Sequence, residues 1–132
     1  RTLFITIFFS ALHAKNLDKF DKASFIANYF SGLILLNDNQ YSKSYSFLKK
    51  LEGLENSHPG YSIKYLHSLV NLGRFNEAFH YSKKLEKIER NDYESDLIIG
   101  IYYLKEKNYF LANKYFNNLK SYKDKSLLDD FE

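Results

Sequence analysis

Asn71-Leu72-Gly73-Arg74-Phe75-Asn76-Glu77-Ala78 is the stretch on which the reading of this chain turns. Before it, Tyr61, Tyr65, Leu66, Leu69 and Leu72 return at helical spacing. After it, Phe75, Ala78, Phe79, Leu85 and Ile88 form a second apolar stripe of the same period. The face opposite the second stripe carries Asn76, Lys83, Lys84 and Glu86. Two amphipathic helices are therefore expected to meet at Gly73, a residue free to take the left-handed conformation that ends a helix.

The same pattern lies to either side at one constant spacing, the step from Tyr41 to Phe75 and again from Phe75 to Tyr109. Those three align, followed by the small residues Ser44, Ala78 and Ala112, the aromatics Phe47, Tyr81 and Tyr115, and Leu51, Leu85 and Leu119. Leu54, Ile88 and Tyr122 continue the register, while Leu35, Leu69 and Tyr103, with Gly32, Leu66 and Gly100, extend it backwards. Self-similarity at such a fixed period marks stacked structural repeats. Asn39 is expected to turn the first copy as Gly73 turns the second; the third has Lys107 there, so Asn108 is expected to supply that turn. Polar links, residues 55–60 with the single proline Pro59 and residues 89–92, separate the copies. No run alternates with the period of two that a half-buried strand requires.

On these residues the chain resembles the tetratricopeptide-repeat (TPR) family, with 71–78 very close to its helix-turn-helix core. Gly32 and Gly100 fit the family's small slot in the first helix of a repeat, and Ser44, Ala78 and Ala112 its small slot in the second. Three positions depart from the pattern: Asn28, Ser62 and Asp96 stand where a bulky residue usually opens the first helix. Leu66 also fills a small slot, and Pro59 is displaced. The resemblance implies an all-α, right-handed α-solenoid of about three TPR helix-turn-helix repeats. These span 25–58, 59–92 and 93–126, after a lead-in at 15–24 and before the start of a truncated further repeat at 127–132.

Length and composition agree with one such domain. The 132 residues are 45% apolar and 18% aromatic, enough to build a core, and the absence of Cys removes disulfides, thiolate zinc sites and cysteine nucleophiles. The net charge of +3 is not gathered into a stripe. Lysines alternate with acids, as in 83–90, which is the pattern of a solvated helix face and not of a nucleic-acid binder.

Residues 1–14 stand apart. Leu3 to Leu12 is a nearly uncharged run, shorter than the ~20 residues of a membrane span but suited to the h-region of an export signal behind Arg1. Ala11-Leu12-His13-Ala14 offers a cleavage site, and the expected address is then periplasmic, as for an exported bacterial member of the family. The alternative is a buried first helix or strand and a cytoplasmic protein.

Catalysis, metal binding and cofactors are not expected. His13, His58, His67 and His80 include no i,i+4 pair, the five glycines are scattered, and no serine has a partnered base. The acidic pairs Asp92–Glu94 and Asp129–Asp130 are read as helix starts, where carboxylates favour the dipole. What remains is the groove that the first helices line in the family. Its positions here are Tyr29, Phe30 and Leu33; Ile63, Lys64 and His67; and Leu97, Ile98 and Ile101. Leu33, Ile98 and Glu94 stand where family members that clamp acidic chaperone tails need Lys, Arg or Asn, so no such clamp is expected. Covering roughly 400 Å² of apolar groove is favourable by ~10 kcal/mol before entropy costs. A protein or peptide partner, or the chain's own terminus, is therefore expected in it, with no small-molecule substrate. The competing functions are an RNA-binding helical repeat, which the mostly apolar column Leu33, His67 and Ile101 disfavours, and an accessory domain of a larger enzyme.

Overall fold

In the computed structural model, which describes the backbone of residues 14–129 and the side chains of residues 22–122, the chain is all-α. The described residues form six α-helices and no strand: α1 (Ala14–Asn37), α2 (Tyr41–Leu48), α3 (Pro59–Asn71), α4 (Phe75–Lys87), α5 (Tyr93–Lys105) and α6 (Tyr109–Asp129). Each helix packs on the next in the chain, and α3 also touches α1 and α5. No helix among the described residues is long and apolar enough to cross a membrane. The signal read into 1–14 lies outside the described residues except for Ala14, the first described residue of α1.

Three element boundaries differ from expectation. The lead-in at 15–24 is continuous with α1. The second helix of the first pair stops at Leu48, and two 3-10 turns, Lys49–Leu51 and Leu54–Asn56, carry the chain onward. Gly53 between them has φ +106°, which no α-helix accommodates, and Pro59 then opens α3. Finally, α6 runs through Asp129 without a turn, so the described part of 127–132 prolongs a helix, and Asp129 lies within one where a helix start was expected. The sequence there holds no glycine or proline to interrupt it.

The three turns, evenly spaced along the chain, share one backbone design. Asn39, Gly73 and Lys107 are left-handed, at φ +59°, +71° and +58°. The next amide donates back across the turn each time: Gln40 to Leu35 (2.8 Å), Arg74 to Leu69 (2.9 Å) and Asn108 to Tyr103 (2.8 Å). These bonds satisfy carbonyls that the helix end would otherwise orphan. In the third turn Lys107, not Asn108, takes the left-handed position. The bond from Asn108 to Tyr103 fixes which residue must do so, and the steric cost of about 1 kcal/mol is accepted. Asn108 instead caps α6, its Oδ1 accepting from the Leu111 amide at 3.2 Å.

Close helix approach explains the glycines. A Cβ on Gly32 would lie 2.6 Å from Leu48 Cδ2, and one on Gly100 2.6 Å from the Phe116 ring. The approach also lets Ser44 Oγ donate to the Gly32 carbonyl at 2.8 Å. In the equivalent positions of the middle pair the sizes are exchanged: Leu66 is 1% exposed and Ser82 0%. A small residue is kept at each close approach, on one helix or on the other.

The main core joins α2, α3 and α4 through residues that include Leu48, Leu51, Tyr61, Tyr65, Leu69, Tyr81 and Leu85. Tyr65 stacks on Tyr45 and on Tyr61, both at 5.8 Å, and meets the edge of Tyr81 at 4.8 Å. The phenols are not left dry: Tyr61 donates to the Leu48 carbonyl at 2.9 Å, and Tyr81 shares a hydrogen bond with Ser62. A second cluster, Phe79, Ile99 and Tyr115, joins α4, α5 and α6. The aligned column Tyr41, Phe75 and Tyr109 is not core, since Phe75 is 57% and Tyr109 64% exposed, and Ile88 is exposed as well. Phe75 and Tyr109 open their helices and Ile88 follows the last turn of α4. At a helix end the neighbouring helix covers less of the apolar stripe.

Two carboxylates are buried among these helices. Asp96 accepts from Asn91, from Asn118 (3.2 Å) and from the Tyr122 hydroxyl (3.1 Å), a network that ties α5 to α6. Burial, and then the Asp96 charge, push the Tyr122 phenol up to about 12. Removing one donor to a buried charge costs about 1.5 kcal/mol. Asn118→Ala is accordingly expected to lower the unfolding free energy by that amount, seen as a lower urea midpoint with no change in the slope of the transition. The second carboxylate, Glu55, lies 2.6 Å from the Lys84 ammonium as a charge contact and takes its directed hydrogen bond from the Gly53 amide at 2.8 Å.

Candidate functional site

The capping box at the start of α5 sets the site. The Asp92 side chain accepts from the Ser95 amide, while the Ser95 hydroxyl accepts from the Asp92 amide, both at 2.8 Å. Helix α5 thus begins at Tyr93 with Ile99 buried towards α4 and α6, and its adjoining face, Leu97, Ile98, Ile101 and Tyr102, turned towards α3 and solvent. Tyr102 is held by a stack on Phe79 at 3.7 Å.

Opposite stand Ile63, Leu66, His67 and Val70 of α3, and the first turn of α4 adds Phe75 and Asn76. Together these surfaces enclose an open cleft of about 740 Å³ whose walls are almost wholly apolar. Its charged groups are at the ends of α5, Glu94 in the first turn and Lys105 in the last. Each suits the dipole of its own helix end. Leu66 is fully buried and forms floor, while Phe75 (57% exposed) stands at the mouth.

Of the nine groove positions read from the sequence, the cleft brings together Ile63, His67, Leu97, Ile98 and Ile101. Lys64 is exposed and does not line it. Tyr29, Phe30 and Leu33 lie one helix away on α1. Tyr29 packs against the His58 ring at 5.0 Å, and Phe30 is 57% exposed. The cleft is thus a feature of α3, α4 and α5 and does not run along all three pairs. Sequence reasoning missed Val70, to which it gave no role, Leu66, read as filling a small slot of the helix pair, and Phe75, read as part of a buried apolar stripe. A signal existed for Phe75: as the first residue of its helix, with only a turn before it, it has no preceding helical turn to cover it. The family resemblance puts Glu94 in the groove, at a position where chaperone clamps need a basic or amide residue, and nothing in the sequence marks Asn76, Tyr102 or Lys105 as cleft residues.

His67 faces Tyr41 at 6.2 Å between ring centres. Among the described residues no group of three or more His, Asp or Glu side chains is placed to hold a metal ion. The geometry offers an apolar trough with an anion at one end and a cation at the other. Comparison with family models, with curated proteins and with solved structures gave no match.

Proposed function

We propose that the chain is a non-enzymatic interaction scaffold, a right-handed solenoid of three tetratricopeptide-like helix pairs at 25–58, 59–92 and 93–126. Its cleft between α3 and α5 takes an apolar helix or strand of a protein partner. The recurring left-handed turns and the alternating small slots support the repeat reading. The observation that carries the binding reading is the 740 Å³ apolar cleft, open to solvent along one face of α5. An exposed surface of that character gains from being covered, and its two charged ends would set the direction of the bound segment. Export through residues 1–14 belongs to the same reading and puts the partner outside the cytoplasm.

The test is selection of peptides from a displayed library against the full chain, followed by titration against Phe75→Glu. That substitution removes an exposed side chain at the cleft mouth and places an acid in a first helical turn, where the dipole tolerates it. The selected peptides are expected to bind the variant at least tenfold more weakly, a loss of about 1.4 kcal/mol, with thermal unfolding unchanged. Peptides that bind both proteins equally would refute the cleft as the site. Tight, salt-sensitive RNA binding would favour the RNA-reading alternative.

A further inference from the structure

Among the described residues, the first helix and the last helix pair present apolar surface where the terminal repeat of a helical array is ordinarily polar. At the N-terminal end Ile26, Phe30 and Ile34 of α1 are 58%, 57% and 61% exposed. At the C-terminal end Ile101, Leu104, Tyr109 and Phe110 are 51%, 47%, 64% and 83% exposed. These two patches are related by the chain's own period.

Ile26, Phe30 and Ile34 stand two full periods before Glu94, Ile98 and Tyr102, through which α5 faces α3 and α4. Within that internal contact Ile98 packs on the α2–α4 core and Tyr102 stacks on Phe79. Ile101, Leu104, Tyr109 and Phe110 stand one period after His67, Val70, Phe75 and Asn76, the side that receives α5. One end of the chain therefore repeats the inserted face of an internal junction, and the other end repeats the receiving face. Both ends are more apolar than the junction they copy: Ile26 replaces Glu94, Ile101 replaces His67, and Phe110 replaces Asn76.

We infer that the chain associates head to tail with a second copy of itself, α1 of one molecule seating against α5 and α6 of the next. The occupant is a second copy because a single chain carries both halves of the junction, in register. Such a contact joins two different patches and leaves one of each free in a dimer, so further copies can add and the assembly grows past two. The inference rests on the three helix pairs being equivalent, and not on what fills the cleft of the middle junction.

Sedimentation velocity on the full chain, with Phe30→Glu and Phe110→Glu, tests it. Both side chains are more than half exposed, so circular dichroism should show both variants folded. The wild type is expected to rise in mean mass with concentration past a dimer. Each variant alone should stay at 15.7 kDa at concentrations at least tenfold higher. An equimolar mixture of the two should form a dimer and nothing larger, because each retains the end the other has lost. If the wild type precipitates, the mixture still decides. A wild type that remains monomeric, a variant that dimerises alone, or a mixture that does not pair would overturn the inference. A monomeric wild type that still binds the selected peptides would end it while leaving the scaffold function standing.

Discussion

Gly32→Leu is expected to destabilise the fold by more than about 3 kcal/mol, beyond the ~1–3 kcal/mol usual for an overfilled core. The clash begins at the Cβ, 2.6 Å from Leu48 Cδ2 and 2.7 Å from Cγ, and Leu48 is fully buried with nowhere to retreat. Helices α1 and α2 must separate, and the Ser44 to Gly32 hydrogen bond goes with the approach that made it. The gain of about 1 kcal/mol from removing a mid-helix glycine offsets only part of this. Leu48→Ser alone should cost about 4 kcal/mol through the cavity it leaves. The double variant should cost far less than the sum, with a coupling of about 3 kcal/mol, because Leu66 and Ser82 occupy those two positions in the middle pair. Urea unfolding of the four proteins measures it. The milder pair Gly32→Ala and Leu48→Ala should couple with the same sign if the larger changes unfold the chain. Additive losses would mean that the helix pairs containing Gly32 and Leu66 are not equivalent.

The second large effect is electrostatic. Lys84→Met strands the Glu55 carboxylate, whose side chain is wholly buried while Lys84 remains 43% exposed. Breaking a buried pair from one side costs ~3–5 kcal/mol, and the partial exposure of Lys84 places this one at about 3 kcal/mol. The pH dependence identifies the cause. In the wild type, burial alone would raise the Glu55 carboxyl, but Lys84 and the amides of Gly53 and Glu55 outweigh it and hold the group below its ordinary 4.5. A depressed carboxyl contributes stability above that value and loses it as the pH falls through the folded-state value. With the ammonium gone only burial and the two amides act, and burial favours the neutral acid. The gap between variant and wild type should thus shrink from pH 7 to pH 4. Glu55→Gln combined with Lys84→Met should recover most of the loss at pH 7. A gap that stays constant with pH would assign the effect to packing of the lysine stem.

Much of the backbone was legible in the letters, because the features that repeat are those that close a helix or bring two helices together. Gly73 and Asn39 announced their turns. Lys107 did not, since lysine has no preference for the left-handed region and is placed there by a hydrogen bond between its neighbours. Leu66 looked like a departure from the small slot until the facing position, Ser82 on the next helix, was included; one column of a pair says little about the space between two helices. The cleft was half legible. Its α3 and α5 residues follow from the first-helix stripes, but helical period alone does not reveal that α1 stands outside it. The column Tyr41, Phe75 and Tyr109 shows the same limit, as period predicts which side chains share a face and says nothing about how far the neighbour reaches.

The stacked phenols at the centre give the fold its own optical label. With twelve tyrosines and no tryptophan, near-ultraviolet dichroism reports on tyrosine and phenylalanine rings alone, and the Tyr45–Tyr65–Tyr61 stack is one of the asymmetric environments that contribute to it. Burial raises the Tyr61 and Tyr81 phenols above their usual range, so they release protons in alkali only as the chain opens. The part of the phenolate absorbance that appears only with unfolding therefore reports on the middle of the chain, where the rings meet.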